Sequence, residues 1–397
     1  MPEPPPAAPT HLLRTHTSPI TILAFSDDNE RLYSGDASGR VVVTSTRSIR
    51  ALSVWNPHED ALLGIEEWGG HIITHGRDNK LHVWTRVEEL PASVRVGGAA
   101  TALDLPSPKL CYSMDVNALN YCRFSLLRLH SDTDEPKALI ALPNLIDSSV
   151  ADVWSLPGRD RVHASIGEEI AKSIFSSDPG GRNNSGIIMS LHLFFVLREA
   201  SSTYDLRILC AYENGGLTLR RYDRADKEKS VQGTGWEVLW TRKSHVEAIM
   251  AMRVSRANDF ALTVSADHII GRYNLSRNAD AEEPVAVPFK TKHAGNSALA
   301  IRDDGKVCAV GGWDGKIRLY STRSFKPLGA LKYHKSNCQA IEFARSLNEN
   351  LDDKTELFEY NDEEMNEQER AERARWLVGG SKDNRVSIWT LISFDKA

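Results

Sequence analysis

A histidine, a hydroxyl, an aspartate and a closing aromatic recur along this 397-residue chain: His58, Thr74, Asp78 and Trp84, then His245, Thr263, Asp267 and Tyr273. Partial sets follow in His293, Asp314 and Tyr320, and in His334, Asp383 and Trp389. An imidazole between a carboxylate and a hydroxyl is the constellation of nucleophilic acyl transfer, where the carboxylate orients the ring and the ring takes the hydroxyl proton. That chemistry needs one nucleophile and an oxyanion hole beside it. A set repeated in several segments reads instead as a hydrogen-bonded tie, so these residues are expected to be structural and no catalytic residue is assigned.

The elements that must position them are hairpins. In HIITHGRDNKLHVW, FALTVSADHIIGRY, VCAVGGWDGKIRLY and WLVGGSKDNRVSIW the aspartate stands six residues before the aromatic. Each copy is a short apolar run, a turn rich in Gly, Asp and Asn, and a second run, which is the pattern of a β-hairpin. Recurrence at about forty residues predicts an all-β fold, a WD40-type β-propeller whose blades are short four-stranded sheets. The first blade spans Ile20 to Trp55, and the second spans Ala61 to Trp84 with an outer strand at Leu110 to Met114. The third spans Leu119 to Ile166, and the fourth opens at Ile187. The third and fourth are degenerate: no aspartate stands six before Trp154, and Gly216 occupies the turn position.

The last copy lacks a fourth strand, while His11 to Thr15 precedes the first blade without a partner. Pairing the two removes two exposed edges and gives seven blades closed by N- and C-terminal strands. The expected organisation is a proline-rich tail over residues 1–10 and a single propeller over 11–397, with surface insertions at about 86–109 and 346–375. A different register over 86–128 would add an eighth blade.

Composition excludes several functions. The net charge is −5 and no cluster of five basic residues occurs, so direct nucleic-acid binding is not expected. The five cysteines form no CxxC pair and read as reduced core thiols, which suits a cytosolic or nuclear protein. The N-terminus lacks the basic and apolar regions of a signal peptide, and the most apolar stretch, Ile187 to Leu197, is too short to span a bilayer. GGWDGK lacks the spacing of a phosphate loop, and His and carboxylate residues show no metal-ligand spacing. Neither a cofactor nor a metal is expected.

Two features remain as candidate partner contacts. Trp313 precedes Asp314 within a turn and should lie at a blade surface. The second insertion carries eleven acidic residues between Glu349 and Glu372. Leu357, Phe358, Tyr360 and Met365 are spaced among them. Its second half, DEEMNEQERAERARW, favours a helix with Glu369 and Arg373 as an i, i+4 pair.

The proline-rich start into HLLRTHTSPITILAF, the turn LYSGDASGRV, the pair KALIALPN and VADVWSLP, and the C-terminal WLVGGSKDNRVSIWTL resemble the ASTRA-associated WD-repeat proteins, which include animal G-protein β-subunit-like members. The resemblance implies a non-enzymatic, nuclear subunit, with the cytoplasm as a second compartment, that is monomeric within a hetero-complex. It implies as partners a large pseudokinase related to the phosphatidylinositol 3-kinase-like kinases, helical-repeat co-chaperones that mature those kinases, and paired AAA+ ATPases. It implies a chromatin-linked role and carries no catalytic or ligand residue to this chain. Competing readings are a ubiquitin-ligase substrate receptor or histone-tail reader, and a hydrolase-type propeller, which would need clustered carboxylates or metal ligands. A Gβ-like subunit would need an N-terminal helix that ten proline-rich residues cannot supply.

Overall fold

The computed structural model describes residues 8–87, 105–119, 121–130, 135–168, 185–198, 203–224, 227, 229–276, 284–346 and 365–392. After β1 (His11–Leu13), the first sheet holds β2 (Ile20–Phe25), β3 (Arg31–Asp36), β4 (Val41–Ser45) and β5 (Ala51–Trp55). The second holds β6 (Leu62–Trp68), β7 (His71–Gly76), β8 (Lys80–Thr85) and β9 (Lys109–Asp115). The third holds β10 (Ser125–Leu129), β11 (Lys137–Pro143), β12 (Ala151–Leu156) and β13 (Arg161–Ile166). The fourth holds β14 (Ile188–Arg198), β15 (Thr203–Tyr212), β16 (Gly216–Tyr222) and β17 (Trp236–Lys243). The fifth holds β18 (Ile249–Val254), β19 (Phe260–Ser265), β20 (Ile269–Asn274) and β21 (Ala286–Lys290). The sixth holds β22 (Asn296–Ile301), β23 (Val307–Gly312), β24 (Lys316–Ser321) and β25 (Pro327–Lys332). The seventh joins β26 (Cys338–Phe343), β27 (Trp376–Ser381) and β28 (Val386–Thr390) to β1, with Leu13 opposite Val386 and His11 opposite Ile388.

These seven sheets are the blades, and the N-terminal strand completes the last one. Strands β3, β4, β19, β23 and β27 are buried along their whole length. That is why they read as continuous apolar and small-residue runs, since a strand covered on both faces has no solvent side to alternate with. The outer strand β9 is largely exposed, and the outer strands β21 and β25 are half-buried. The repeat extends to a defect: the first hairpin of the first, fourth, fifth and seventh blades slips register near its opening, at Ile20/Ile22, Ile188/Ser190, Ile249/Ala251 and Cys338/Ala340. A bulge there bends each strand at an equivalent point.

The chain divides into two compact units, residues 1–74, 82–112 and 300–397, and residues 75–81 and 113–299. In the first, Leu13, Ile20, Leu23, Ala340, Trp376 and Ile388 form one core cluster, and Tyr33, Val41, Leu62 and Ile72 belong to another. In the second, Ile166, Leu193, Ile208 and Tyr212 share a core, as do Phe194, Leu219, Trp240, Met252 and Tyr273. No helix among the described residues is long and apolar enough to cross a membrane.

Three sequence expectations change. The third blade's first strand begins at Ser125, and Leu119, taken as its start, lies in an exposed connection. In the second insertion, helix α1 (Glu367–Arg373) forms behind a capping box of Asn366 and Glu369, but Arg373 does not extend along its surface. Its Nε donates to the Thr46 carbonyl at 3.1 Å and its guanidinium lies 4.3 Å from the Trp376 ring centre. Glu369 instead approaches Arg47, at 3.9 Å. Met365 is 4% exposed, so it packs inward and offers no partner contact. The other end is held by paired hydrogen bonds between Asn29 and the Arg345 backbone, 2.7 and 2.8 Å, while the Thr46 hydroxyl donates to the Asn29 carbonyl. Both roots of the acidic segment are therefore tied to the same turns of the first blade. Leu357, Phe358 and Tyr360 lie outside the described residues, as does most of the 86–109 insertion.

Candidate functional site

In the fifth blade Asp267 accepts from His245 Nδ1 at 2.9 Å, and His245 Nε2 meets Thr263 Oγ1 at 2.7 Å. In the seventh, Asp383 pairs with His334 Nδ1 at 2.9 Å, and Nε2 meets Ser387 Oγ at 2.8 Å. Trp389 Nε1 donates to the same Oγ at 2.9 Å. In the second blade His58 Nε2 and Trp84 Nε1 both lie 2.9 Å from Thr74 Oγ1, and the Oδ1 of Asp78 accepts from the Lys80 backbone N–H.

These distances match a charge-relay triad, but burial removes the chemistry. Thr74, Thr263 and Ser387 have no accessible surface, and two of the three hydroxyls already receive an indole N–H. No substrate carbonyl can reach such an oxygen. Burial also holds the His245 imidazole below its ordinary pKa, against the attraction of Asp267. The sets act as ties from the chain entering a blade to its central hairpin. Each reaches backward too: the left-handed turn residues Gly215 and Gly315 lie so close to the carbonyls of His245 and His334 that an added Cβ would sit 2.3 Å from the oxygen.

The sixth blade differs. His293 is exposed, which removes it from any buried tie, and Asp314 is clamped by Arg318 at 2.5 and 3.1 Å and by Lys316 at 3.3 Å. Burial opposes ionisation of Asp314, but the Arg318 guanidinium and the Lys316 backbone N–H hold its pKa down to about 2. Tyr320 is buried.

Two further ties escaped the spacing rule. His16 binds Asp36 at 2.7 Å and Ser34 at 2.8 Å, with the carboxylate two residues upstream of the turn position, which Ser38 fills. In the third blade Asn144 donates to both oxygens of buried Asp152, 3.0 Å each. The hydroxyl of the seventh set, Ser387, was legible only as the residue four beyond Asp383.

Surface chemistry lies elsewhere. Trp313 is 50% exposed in its turn. In the second unit an open concavity of about 430 Å³ is lined by Asp78, Lys80, Asp115, Val116, Leu119 and Leu145, among others. Its floor is cross-tied: Asn79 accepts from the Val116 and Ala118 backbone, and Asn117 Nδ2 donates to the Asn144 carbonyl and to Ser148. Lys80 Nζ meets Asp115 at 2.5 Å.

Comparison with known proteins places this arrangement. Residues 7–45 and 288–321 match the family model described as WD domain, G-beta repeat. The seven-bladed β-propeller is shared with the solved β-propeller domain of Cps50 (Swd1) from Myceliophteria thermophila, with a TM-score of 0.61, 14% identity and coverage of 98% of this chain and 100% of that one. ASTRA-associated protein 1 of Schizosaccharomyces pombe is 26% identical over 96% of this chain and 98% of its own. ASTRA-associated protein 1 of Verticillium alfalfae is 34% identical over 98% of this chain and 94% of its own. With 34% identity and nearly the whole of both chains inside that match, the chain belongs to the ASTRA-associated protein 1 family.

Proposed function

We propose that this chain is a non-enzymatic WD-repeat scaffold subunit of an ASTRA-type complex, built as one propeller over residues 11–397 and working in the nucleus. Its role there would be in chromatin remodelling and in the maturation of phosphatidylinositol 3-kinase-related kinases. The partners would be a large pseudokinase of that kinase class, helical-repeat co-chaperones and AAA+ ATPases. The observation that carries the reading is end-to-end similarity to ASTRA-associated protein 1 from several fungi. It is supported by the burial of the relay hydroxyls, which leaves them a structural task.

The test is purification of the tagged chain from its native cell with identification of what co-elutes. Recovery of the pseudokinase, its co-chaperones and the AAA+ pair supports the proposal, whereas cullin adaptors or histones in their place would move the chain to the ubiquitin-ligase receptor or histone-reader class. A deletion arm should remove only residues 350–362. Removing all of 346–375 would also strip helix α1 with its Arg373 anchor and confuse lost binding with lost folding.

A further inference from the structure

We propose that the surface formed by the turn after β23, the connection from β25 to β26 and the turn after β27 docks an acidic segment of a partner protein, with Trp313 as its apolar contact. The proposal concerns the first unit alone and stands whether or not the chain works in an ASTRA-type complex.

Three observations support it. The first is that the surface is built across two blades. On one side of the connection, a Cβ on Gly315 would stand 2.3 Å from the His334 carbonyl oxygen and 3.0 Å from that of Ser336, and the Cys338 thiol donates to the Gly315 carbonyl at 3.4 Å. On the other side, the Ser381 hydroxyl donates to the Ser336 carbonyl at 2.9 Å and the Lys382 backbone N–H to that of Asn337 at 3.0 Å. Arg385 adds a hydrogen bond to the Tyr333 hydroxyl at 2.8 Å. Both turns are therefore fixed against one connection, and an approaching partner meets them as a single preformed surface.

The second observation is charge. These three segments carry Lys316, Lys335, Lys382 and Arg385 against Asp314 and Asp383. Both carboxylates are engaged within their blades, Asp314 by Arg318 and Lys316, and Asp383 by His334. Among the described residues the exposed Lys335 and Lys382 have no carboxylate partner, and the exposed Arg385 is held by a hydroxyl rather than a carboxylate. The third observation is Trp313, 50% exposed in the first of the turns. An indole beside unpaired cations supplies both parts of a contact: the ring offers the area to be buried, and the charges select an acidic partner over a basic one. The net charge of the whole chain is −5, so a long polyanion such as nucleic acid is repelled, whereas a short acidic segment meets only the local cations.

The experiment selects a random dodecapeptide display library on the immobilised full-length chain, in parallel on Trp313→Ala and on the double variant Lys335→Glu, Lys382→Glu. None of these residues belongs to the seventh-blade relay, and matching melting curves of the three proteins confirm that they are folded. If Trp313→Ala melts early, the double variant decides alone. The expected result is enrichment of peptides in which Asp or Glu lies beside an apolar residue. That enrichment should fall at least about tenfold on Trp313→Ala, as for a central aromatic contact. On the double variant the acidic preference should disappear. No enrichment, enrichment of basic peptides, or acidic enrichment that survives either folded variant would overturn the proposal. Two further arms cover the other occupants. A short DNA duplex that displaces the selected peptides as well as they displace one another would assign the surface to nucleic acid. A concentration-dependent dimer in sedimentation, abolished by Trp313→Ala, would assign it to a second copy of this chain, and either result refutes the proposal.

Discussion

The fifth and sixth blades share a turn aspartate, Asp267 and Asp314, and a closing tyrosine, Tyr273 and Tyr320, yet Asp267 heads a buried imidazole relay and Asp314 a half-exposed ion pair. The difference lies in two residues that face each other across the central hairpin, four before and four after the aspartate. In the fifth blade they are Thr263 and Gly271, and in the seventh Gly379 and Ser387. One supplies the hydroxyl and the other stays small. A Cβ on Gly271 would stand 2.6 Å from Thr263 Oγ1. In the sixth blade the facing pair is Val310 and Arg318, with no hydroxyl to receive an imidazole and a guanidinium in its place. The entering histidine, His293, is correspondingly exposed and stays out of any buried relay. A relay therefore requires a hydroxyl in the facing pair beneath the turn, and the aspartate alone does not specify one.

The sixth-blade turn nevertheless has a task, and its glycine performs it. Gly315 has φ +78° and supports the His334 carbonyl, so it positions the relay of the following blade while its neighbour Asp314 has none to serve. Gly315→Ala is expected to have the largest effect, about 3 kcal/mol, because a left-handed backbone and a clash with backbone oxygen combine. Thermal unfolding followed by circular dichroism would measure it. A midpoint within one degree of the parent would show that the turn and the seventh-blade relay are not coupled.

Next in size is Asp267→Ala, expected to cost about 1–3 kcal/mol, since it strips a partner from buried His245 and leaves its Nδ1 unsatisfied. Thr263→Val should fall in the same range by freeing Nε2, and the double variant should cost less than the sum because both act on one ring. Full additivity in that cycle would break the description of a relay and leave two independent contacts.

The facing-pair rule explains which parts of the molecule could be read from the chain. Blade number, hairpin positions and closure by His11–Leu13 follow from apolar runs and turn residues, which are local and repeat. The relays of the second and fifth blades were legible because Thr74 and Thr263 precede their aspartates by the same four residues. Ser387 sits on the other strand, and Asp36 lies two residues upstream of the usual position, so a rule written on aspartate-to-aromatic spacing passes over both. His293 satisfied that rule and fails because the residue beneath it is Val310. Met365 was misjudged for another reason. A methionine amid acidic residues resembles a docking contact in sequence, and only the anchoring of α1 at Thr46 and Trp376 turns it inward.

Acid separates the two blades further. Burial depresses the pKa of His245 below 6.5, and desolvation takes buried His163 and half-buried His192 down to about 4. Below pH 6.5 the unfolded chain then binds protons that the folded one refuses, so stability is lost as pH falls from 6.5 toward 4. Asp314, depressed from 3.8 to about 2, contributes above 3.8 and loses that contribution only below it. Between pH 7 and 4 the stability gap between the parent and His245→Asn should narrow, because the variant no longer carries the imidazole whose protonation unfolds the parent. A gap that stayed constant would mean that His245 titrates alike in both states.

Asp314→Ala should have the smallest effect and the flattest profile. The Asp314 side chain is 43% exposed, so water screens its attraction to Arg318 and takes its place when the carboxylate is removed. The loss is held below about 1 kcal/mol, the ordinary range for an ion pair at a surface. The Arg318 side chain is itself 7% exposed, and losing its partner sets the upper part of that range. From pH 7 to 4 the gap to the parent should not change, since the depressed carboxylate stays ionised throughout. If Asp314→Ala instead matched Asp267→Ala in size, or its gap closed in the histidine range, then the sixth blade would hold a relay after all, and the facing-pair rule would fail at Val310 and Arg318.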